Sequence, residues 1–483
     1  MENDTRGAGR GGIRISPVHG HRTHKVSLEE HGSHLPKALI AFASVRFGLA
    51  RRNDVSSRAT TTVLHSPLSA GHNFSAMPGA GLSAAFRERK VHVVFLNQFF
   101  WPDTIATSQI LTEVARSLGD EHEVTVICGG GSAGTAEPGG IQRPNVDIKR
   151  IRNAGFGHSG PARVASYVTY LAGVLWYGCL LRRPGCFVTL TTPPILPVLG
   201  GLFARARRAR HVIWEMDVYP DIASDIGYFK KGGIVERLTG AILDWSRRRA
   251  DAIIALGEDM KGRLVARGIA ENKIDVAENW ANGAEIVPLQ FPDGPLTVHY
   301  SGNFGLAHEA ATITGVIDRL ANHASFRFIF AGGGPRRPQL EAYCRERFIK
   351  NVEFRPYCAS AQLSQSLGEG HLGLVTQIPE TVGSIVPSKI YGIMAAGRPL
   401  LYIGPDGSTP ARHIQSFDCG WLIQPGDVDG VIRLLHRLDG DRKLAMEAGA
   451  RGRAAFEQYF DRLNGIARIL AIVSGSKSQG TPR

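Results

Sequence analysis

The 483 residues, 43% hydrophobic and 20% charged, are enough for two to three domains with substantial cores, which excludes a globally disordered chain. The 57 glycines follow no three-residue period and no apolar run reaches the ~18–20 residues that span a bilayer, so collagen and a polytopic membrane protein are excluded. The net charge is +13, but residues 1–90 hold 13 Lys/Arg against 6 Asp/Glu and the rest 43 against 37, so the body is only mildly basic, which suits an anionic substrate or membrane surface and calls for no nucleic acid.

Residues 1–88 are rich in Gly, Ser, His and Arg and show little periodicity, so a basic, disordered N-terminal extension is expected. The apolar stretch Leu39 to Leu49 is short, interrupted by Arg46 and without a clear cleavage site, which makes it a poor signal peptide. Met77 lies just ahead of the first clear strand and is an alternative start of translation. From Lys90 the pattern changes. Val91 to Leu96 reads as a buried strand, Thr107 to Leu118 as a helix and Glu123 to Cys128 as a second strand ending at a glycine triplet. Apolar runs at Phe187 to Thr191, His211 to Trp214 and Ala252 to Leu256 continue the alternation. The rhythm restarts at Leu296 to Tyr300, followed by the helix Ala310 to Leu320 and strands at Phe326 to Ala331, Val352 to Phe354, Leu372 to Thr376 and Leu400 to Ile403. Strands alternating with helices imply parallel sheets covered on both faces. The expected division is 1–88 extension, 89–285 first Rossmann-like domain, 286–473 second Rossmann-like domain with its last helix packing back, and 474–483 tail. Two such units form a cleft between the carboxyl ends of their strands. The six cysteines contain no CxxC pair, so neither a zinc site nor a disulfide framework is indicated and a reducing compartment is the simplest reading.

The first strand leads into Asn97-Gln98-Phe99-Phe100-Trp101-Pro102, which has no glycine. A dinucleotide fold wants GxGxxG there, so an NAD- or FAD-dependent oxidoreductase is disfavoured. An aromatic turn suits the lining of an acceptor pocket; core packing of Phe99, Phe100 and Trp101 accounts for it equally well. The second unit opens with Tyr300-Ser301-Gly302-Asn303-Phe304-Gly305-Leu306-Ala307-His308-Glu309. Gly302 and Gly305 allow close backbone approach, and unpaired N–H groups at the following helix start suit a diphosphate. His308 and Glu309 are as readily a capping pair as a ligand contact. The most specific stretch runs from Gly383 to Pro399. There Ser388 and Lys389 fall in the first turn of a helix, where a lysine opposes the dipole unless an anion shares the site. An exposed lysine at a frayed turn is the bland alternative. Asp427-Val428-Asp429 matches a metal-binding DxD by letters but starts a helix, so capping is expected and no divalent metal is required.

Residues 90 to 470 resemble the GT-B glycosyltransferases of the large retaining family 4, in particular the branch that builds bacterial O-antigen and colanic-acid-type exopolysaccharides. The matching segments are Asn97 to Pro102 with Thr107-Ser108, Thr192-Pro193-Pro194, Asp217-Val218-Tyr219-Pro220-Asp221, Asn279-Trp280, Ser301 to His308, Ala331 to Pro335 and Val386 to Pro399. The resemblance implies a nucleotide-sugar donor, UDP- or GDP-linked, on the second domain, with no further cofactor. Gly302, Asn303 and Gly305 would face the diphosphate. Ser388 and Lys389 would approach the diphosphate and ribose, Ser384 and Pro387 would also contact the donor, and Arg355-Pro356-Tyr357 would lie near the base. The acceptor would sit near Phe100, Trp101, Pro102, Asp103 and Asp217. Many relatives carry two Glu eight apart beside the sugar; aligning Gly397-Arg398-Pro399 puts Ser384 and Gly392 there, so that clamp is missing. Lys389 is the expected cation, and Asp217 the residue that positions or deprotonates the acceptor, with a structural cap as its equal alternative. The implied function is sugar transfer to a glycan or lipid-linked acceptor in cell-surface polysaccharide synthesis. It would be cytoplasmic; the apolar stretch Tyr167 to Leu181, followed by Arg182-Arg183 and too short to span, reads first as a buried helix, with a peripheral, monotopic contact to the inner membrane as the alternative. A GT-B sugar-nucleotide epimerase and a non-catalytic nucleotide-sugar-binding protein are the alternatives.

Overall fold

A computed structural model describes residues 90–103, 105–130, 143–152 and 160–475; the expected extension 1–88, the Met77 start and tail residues 476–483 lie outside the described residues. Two parallel sheets follow one another along the chain. The first contains β1 (His92–Leu96), β2 (Glu123–Gly129), β3 (Asp147–Ile151), β4 (Cys186–Leu190), β5 (Arg210–Trp214), β6 (Ala252–Ala255) and β7 (Ile274–Val276), in the order β3-β2-β1-β4-β5-β6-β7. The second contains β8 (Leu296–Ser301), β9 (Phe326–Ala331), β10 (Val352–Arg355), β11 (Leu372–Thr376), β12 (Leu400–Ile403) and β13 (Gly420–Ile423), in the order β10-β9-β8-β11-β12-β13.

The strands read as near-continuous apolar runs because both faces of each sheet are covered. In β1, Val93 and Phe95 enter a core shared with the helix Ala106–Gly119, whereas Val94 and Leu96 enter another with Tyr170, Val174 and Phe203. In β12, Leu401 and Ile403 face one core and Leu400 and Tyr402 the other. The period-two pleat thus splits each strand between two helix layers.

In both sheets the order reverses beside the first strand, between β1 and β4 and between β8 and β11. Ligands of open α/β sheets bind outside the carboxyl ends at such points. The two carboxyl edges meet. After β5 and β6, the Val218 N–H donates to the Ser384 carbonyl (2.8 Å), and Asp259 accepts from the Thr409 N–H (3.0 Å) and hydroxyl (2.7 Å). Arg263 donates to the carbonyls of Glu380 and Val382 (3.2 and 2.9 Å). Glycine is required at this seam: a Cβ on Gly257 would lie 2.1 Å from the Thr409 hydroxyl, and one on Gly383 2.5 Å from the Asp259 carbonyl.

The connection between the sheets is anchored on both sides. Glu278 accepts from the Tyr391 hydroxyl (2.8 Å) and bonds His413 (2.7 Å). Arg398, fully buried, holds the Leu289 and Gln290 carbonyls at 3.0 Å. The chain returns at the end: Asp461 accepts from the Gly283 N–H (2.9 Å), and the helix Arg462–Ser474 buries Ile466, Ile469 and Ile472 in the core of the first sheet.

Candidate active site

At the end of β8 the chain turns through Gly302, with φ +121°, beneath a second loop after β9 in which Gly332 and Gly334 have φ +124° and +116°. The loops touch backbone to backbone. A Cβ on Gly332 would lie 2.0 Å from the Gly302 carbonyl, and one on Gly334 2.5 Å from that of Phe304. The Gly302 N–H is held by the Ala331 carbonyl (2.8 Å) and the Phe304 N–H by that of Gly333 (2.7 Å). This corrects one expectation. The Gly302 amide is spent on loop packing, and the glycines matter because they let two loops and Lys389 converge.

Lys389 opens the helix Lys389–Ala395, with Ser388 as its N-cap. Its side chain lies along Gly302, where a Cβ would stand 3.0 Å from the Lys389 Cε. Its ammonium sits 3.2 Å from His308 Nε2, 3.5 Å from the Asn303 carbonyl and 5.1 Å from the centre of the Tyr300 ring. His308 Nδ1 lies 2.8 Å from the Thr376 carbonyl, so that nitrogen carries the proton. Nε2 is then an acceptor. Tyr300 gives its only hydroxyl proton to the Asn303 carbonyl at 2.7 Å, which leaves Lys389 as the donor to Nε2. Burial and then the neighbouring Lys389 pull His308 down to about 3, and burial pulls Lys389 down to about 8. A neutral imidazole tied to the end of β11 thereby orients an ammonium at the end of β8, at the reversal point of the second sheet.

The other expected donor residues divide. Asn303 is exposed at the rim and Gly305 half-exposed beside it. Tyr357 is exposed, and its ring lies against Gly333, where a Cβ would meet it at 3.1 Å. Arg355 is held by Glu353 and Glu369 (2.5 and 2.7 Å). Pro387 is buried. Ser384 is also buried, its hydroxyl donating to the Thr381 carbonyl (3.1 Å), so it belongs to the seam and presents nothing to a ligand. The helix after Gly305 begins only at Ala311, and Glu309 accepts from the Thr312 N–H (3.0 Å). A carboxylate therefore already occupies the helix start expected to receive a diphosphate, supplied by Glu309 one residue ahead of the N-cap Ala310. Asp427 likewise caps the helix Val428–Gly440 through the Gly430 N–H (2.8 Å).

On the first half, Phe100 is fully buried in the core, which corrects its expected place in an acceptor pocket; Trp101 and Pro102 are half-exposed. Asp103 is buried, with one carboxylate oxygen accepting from the Phe100 N–H (3.2 Å) and the other unpaired. Asn97 and Gln98 each donate, to the Phe99 carbonyl (2.6 Å) and the Ser166 hydroxyl (2.9 Å), but their side-chain oxygens are unpaired and buried. Asp217 follows β5 immediately before the seam residue Val218, its N–H on the Thr191 hydroxyl (3.3 Å). Burial, and then the charge of Glu215, raise Asp217 to about 6. Glu215 itself is neutralised by Arg247 (2.6 Å). Tyr300 and Thr376 were invisible as site residues in the sequence, because only the pairing of β8 with β11 brings them to Lys389.

Two doubly wound parallel sheets meeting at their carboxyl edges, with the last helix returning to the first, define the GT-B fold. Residues 106–280 match the family model described as a glycosyl transferase 4-like domain. The chain is 24% identical over 267 residues to WbjE of Pseudomonas aeruginosa, designated a probable glycosyltransferase, covering 53% of this chain and 66% of that one. It is 25% identical over 254 residues to the proposed colanic acid biosynthesis glycosyl transferase WcaI of Escherichia coli K12, covering 50% and 61%. The matches thus span two-thirds or less of these relatives. Among solved structures, Anabaena HepE in complex with UDP superposes with a TM-score of 0.60 at 12% identity, over 80% of this chain and 100% of that one.

Proposed function

We propose that the protein is a retaining glycosyltransferase that moves a sugar from a UDP- or GDP-linked donor to a glycan or lipid-linked acceptor in bacterial cell-surface polysaccharide synthesis. The observation that carries this reading is the Lys389 ammonium, fixed by His308 at the reversal point of the second sheet and backed by two glycine loops. One of its three N–H groups meets His308, a second points to the Asn303 carbonyl, and the third has no acceptor among the described residues. A nucleotide diphosphate would supply one. HepE, alike in fold, is bound to UDP. Tyr357 at the rim offers an aromatic face to the base.

The chemistry follows from charge. The bond between the sugar C1 and the phosphate oxygen breaks, and a bond from the acceptor hydroxyl to C1 forms on the same face. Negative charge grows on the leaving diphosphate, where Lys389 neutralises it. The hydroxyl proton passes to the leaving phosphate, while ionised Asp217, across the seam, orients that hydroxyl. No ion pair joins Asp217 to Lys389, so both charges remain for substrate. No metal is needed in this scheme. A lipid-linked acceptor fits a protein working at the cytoplasmic face of the inner membrane.

One observation favours a second reading. Ser384 and Gly392 occupy the positions of the acidic pair, which would suit a non-catalytic nucleotide-sugar-binding protein. Incubation with UDP- and GDP-sugars, with and without membrane extract, separates the readings. Product formed only with extract supports transfer. Turnover without any acceptor means an epimerase, and binding without turnover means a binding protein.

A further inference from the structure

The helix Glu258–Ala266 stands at the seam, and Asp259, Arg263 and the C-cap Arg267 follow one another at helical spacing, which puts them on one face. Asp259 accepts from the N–H and hydroxyl of Thr409 (3.0 and 2.7 Å), the first residue of the helix Thr409–Phe417. A carboxylate of the first half thus sits at a helix start of the second, where the dipole favours it. Arg263 holds Asp221 and Asp225 (2.8 and 2.7 Å), one turn apart on the helix Asp221–Asp225. With its remaining nitrogen it reaches the carbonyls of Glu380 and Val382 (3.2 and 2.9 Å) in the second half.

Behind this face the charges continue. Arg267 takes the other oxygen of Asp221 and both oxygens of Asp244 (3.0 and 2.7 Å). Asp244 binds Arg247 (2.9 Å), and Arg247 binds Glu215 (2.6 Å), two residues before Asp217. Alternating charges therefore run without a break from the end of β5 to the seam. On the far side, Glu380 and Val382 belong to the turn after β11, where the Ile378 N–H is held by the Ala307 carbonyl (3.0 Å), next to His308. Arg263 thereby ties the segment that carries Asp217 to the turn that packs on the His308 loop.

A cleft between two domains commonly closes around its ligand by a hinge. Here a hinge would have to break, together, the bond from Val218 to Ser384, both bonds from Thr409 to Asp259 and both from Arg263 to the carbonyls. The groups are enclosed: Val218 and Ser384 are fully buried and Thr409 is 2% exposed. Two carboxylates already fix the Arg263 fork, so it is preorganised for the carbonyls. We propose that Asp259 and Arg263 form a clasp that keeps the two halves joined whether or not the cleft is filled, and that Arg263 is the positioning residue that fixes Asp217 relative to Lys389. The clasp rests on these contacts alone; its effect on turnover rests on the transfer reading.

The test is hydrogen exchange of the full chain with and without UDP or GDP, read at the Val218 and Thr409 amides, whose acceptors lie in the opposite half. In the wild type both should exchange as slowly as the amides of β5 and β12, and nucleotide should slow them by less than about threefold. R263Q should speed both by about tenfold or more and leave the β1 amides unchanged. T409V, which removes one seam bond and no charge, should speed the Val218 amide too, because a clasp opens as one unit. Fast exchange at both amides without nucleotide, slowed more than about tenfold by adding it, would reveal a hinge and overturn the proposal. So would a Val218 amide as slow in R263Q or T409V as in the wild type. The measurements without nucleotide need no sugar transfer, so failure of the transfer reading would leave them standing. For positioning, R263K should lower kcat about tenfold with an unchanged KM for the donor, which binds the second half. An unchanged kcat would remove that role.

Discussion

The two halves of the molecule are wound alike but equipped differently. Each places its order reversal beside its first strand, yet the first half fills that point with side chains and the second with backbone. Around β1 lie Asn97, Gln98 and Asp103, buried and each with an unpaired oxygen. Around β8 lie Gly302, Gly332 and Gly334, with one oriented ammonium. A cation calls for an anion, whereas the unpaired oxygens of the first half are closed off from solvent. The lesson is that topology fixes where a ligand can sit, whereas the side chains at the strand ends fix which ligand it is.

The halves also answer acid in opposite ways. In the first, burial raises Asp103, Glu113 and Asp225, and raises Asp217 to about 6. A raised carboxyl binds its proton more tightly when folded, so its contribution improves as pH falls through its folded value. In the second, burial lowers His299 and His371 to about 4 and His308 to about 3. A depressed imidazole contributes fully above its ordinary value and loses that contribution as pH falls below about 6.5, because only the unfolded ring takes the proton. His211, at about 4, and His122, also lowered by burial, are counterexamples in the first half.

The largest expected effect tests the cation. K389A should lower kcat/KM roughly 10²- to 10³-fold and weaken UDP or GDP binding in a calorimetric titration, with little change in melting temperature. Unchanged kinetics would remove the asymmetry between the halves. D217N should cost roughly 10²-fold. In the wild type, kcat/KM should rise with pH near 6 as Asp217 ionises and fall near 8 as Lys389 loses its proton. D217N should lose only the rising limb; a profile that keeps it would assign that limb elsewhere.

Smaller effects concern stability. G332A forces a Cβ to 2.0 Å from the Gly302 carbonyl at φ +124°, and should cost about 3 kcal/mol or more in denaturant unfolding. Acidification from pH 7 to 5 should weaken amide protection in the second half before the first in hydrogen exchange, each buried histidine losing roughly 1 kcal/mol per pH unit below 6.5. Loss of protection in the first half ahead of the second would contradict the contrast. The least effect belongs to Gly262, in the first half, where a Cβ meets nothing within 4 Å inside the helix Glu258–Ala266. G262A should add about 0.5–1 kcal/mol.

Much of the fold was legible because buried parallel strands are short continuous apolar runs, and because Gly, Pro and Asn punctuate them. The glycine turns after β8 and β9 and the segment Val386 to Pro399 stood out for the same reason. The site was less legible. Phe100 has the composition of a pocket wall and the burial of a core residue, since aromatic side chains serve either role. Ser384 falls at a site position by spacing, but the seam with Val218 encloses it. His308 and Glu309 are adjacent and opposite in role: one orients the cation and the other sets its carboxylate at a helix start.

The amino-acid order alone determined two α/β units, the lack of a dinucleotide glycine motif in the first and the glycine-lined turns of the second, because these depend on local period and backbone freedom. Only the tertiary structure decided that Lys389 is aimed by a neutral His308 and that Asp217 stands beside the seam with its carboxyl raised. Each of those facts arises where chain segments far apart in sequence are brought together by crossover connections, and burial there shifts charges and directs hydrogen bonds in ways that no single segment encodes.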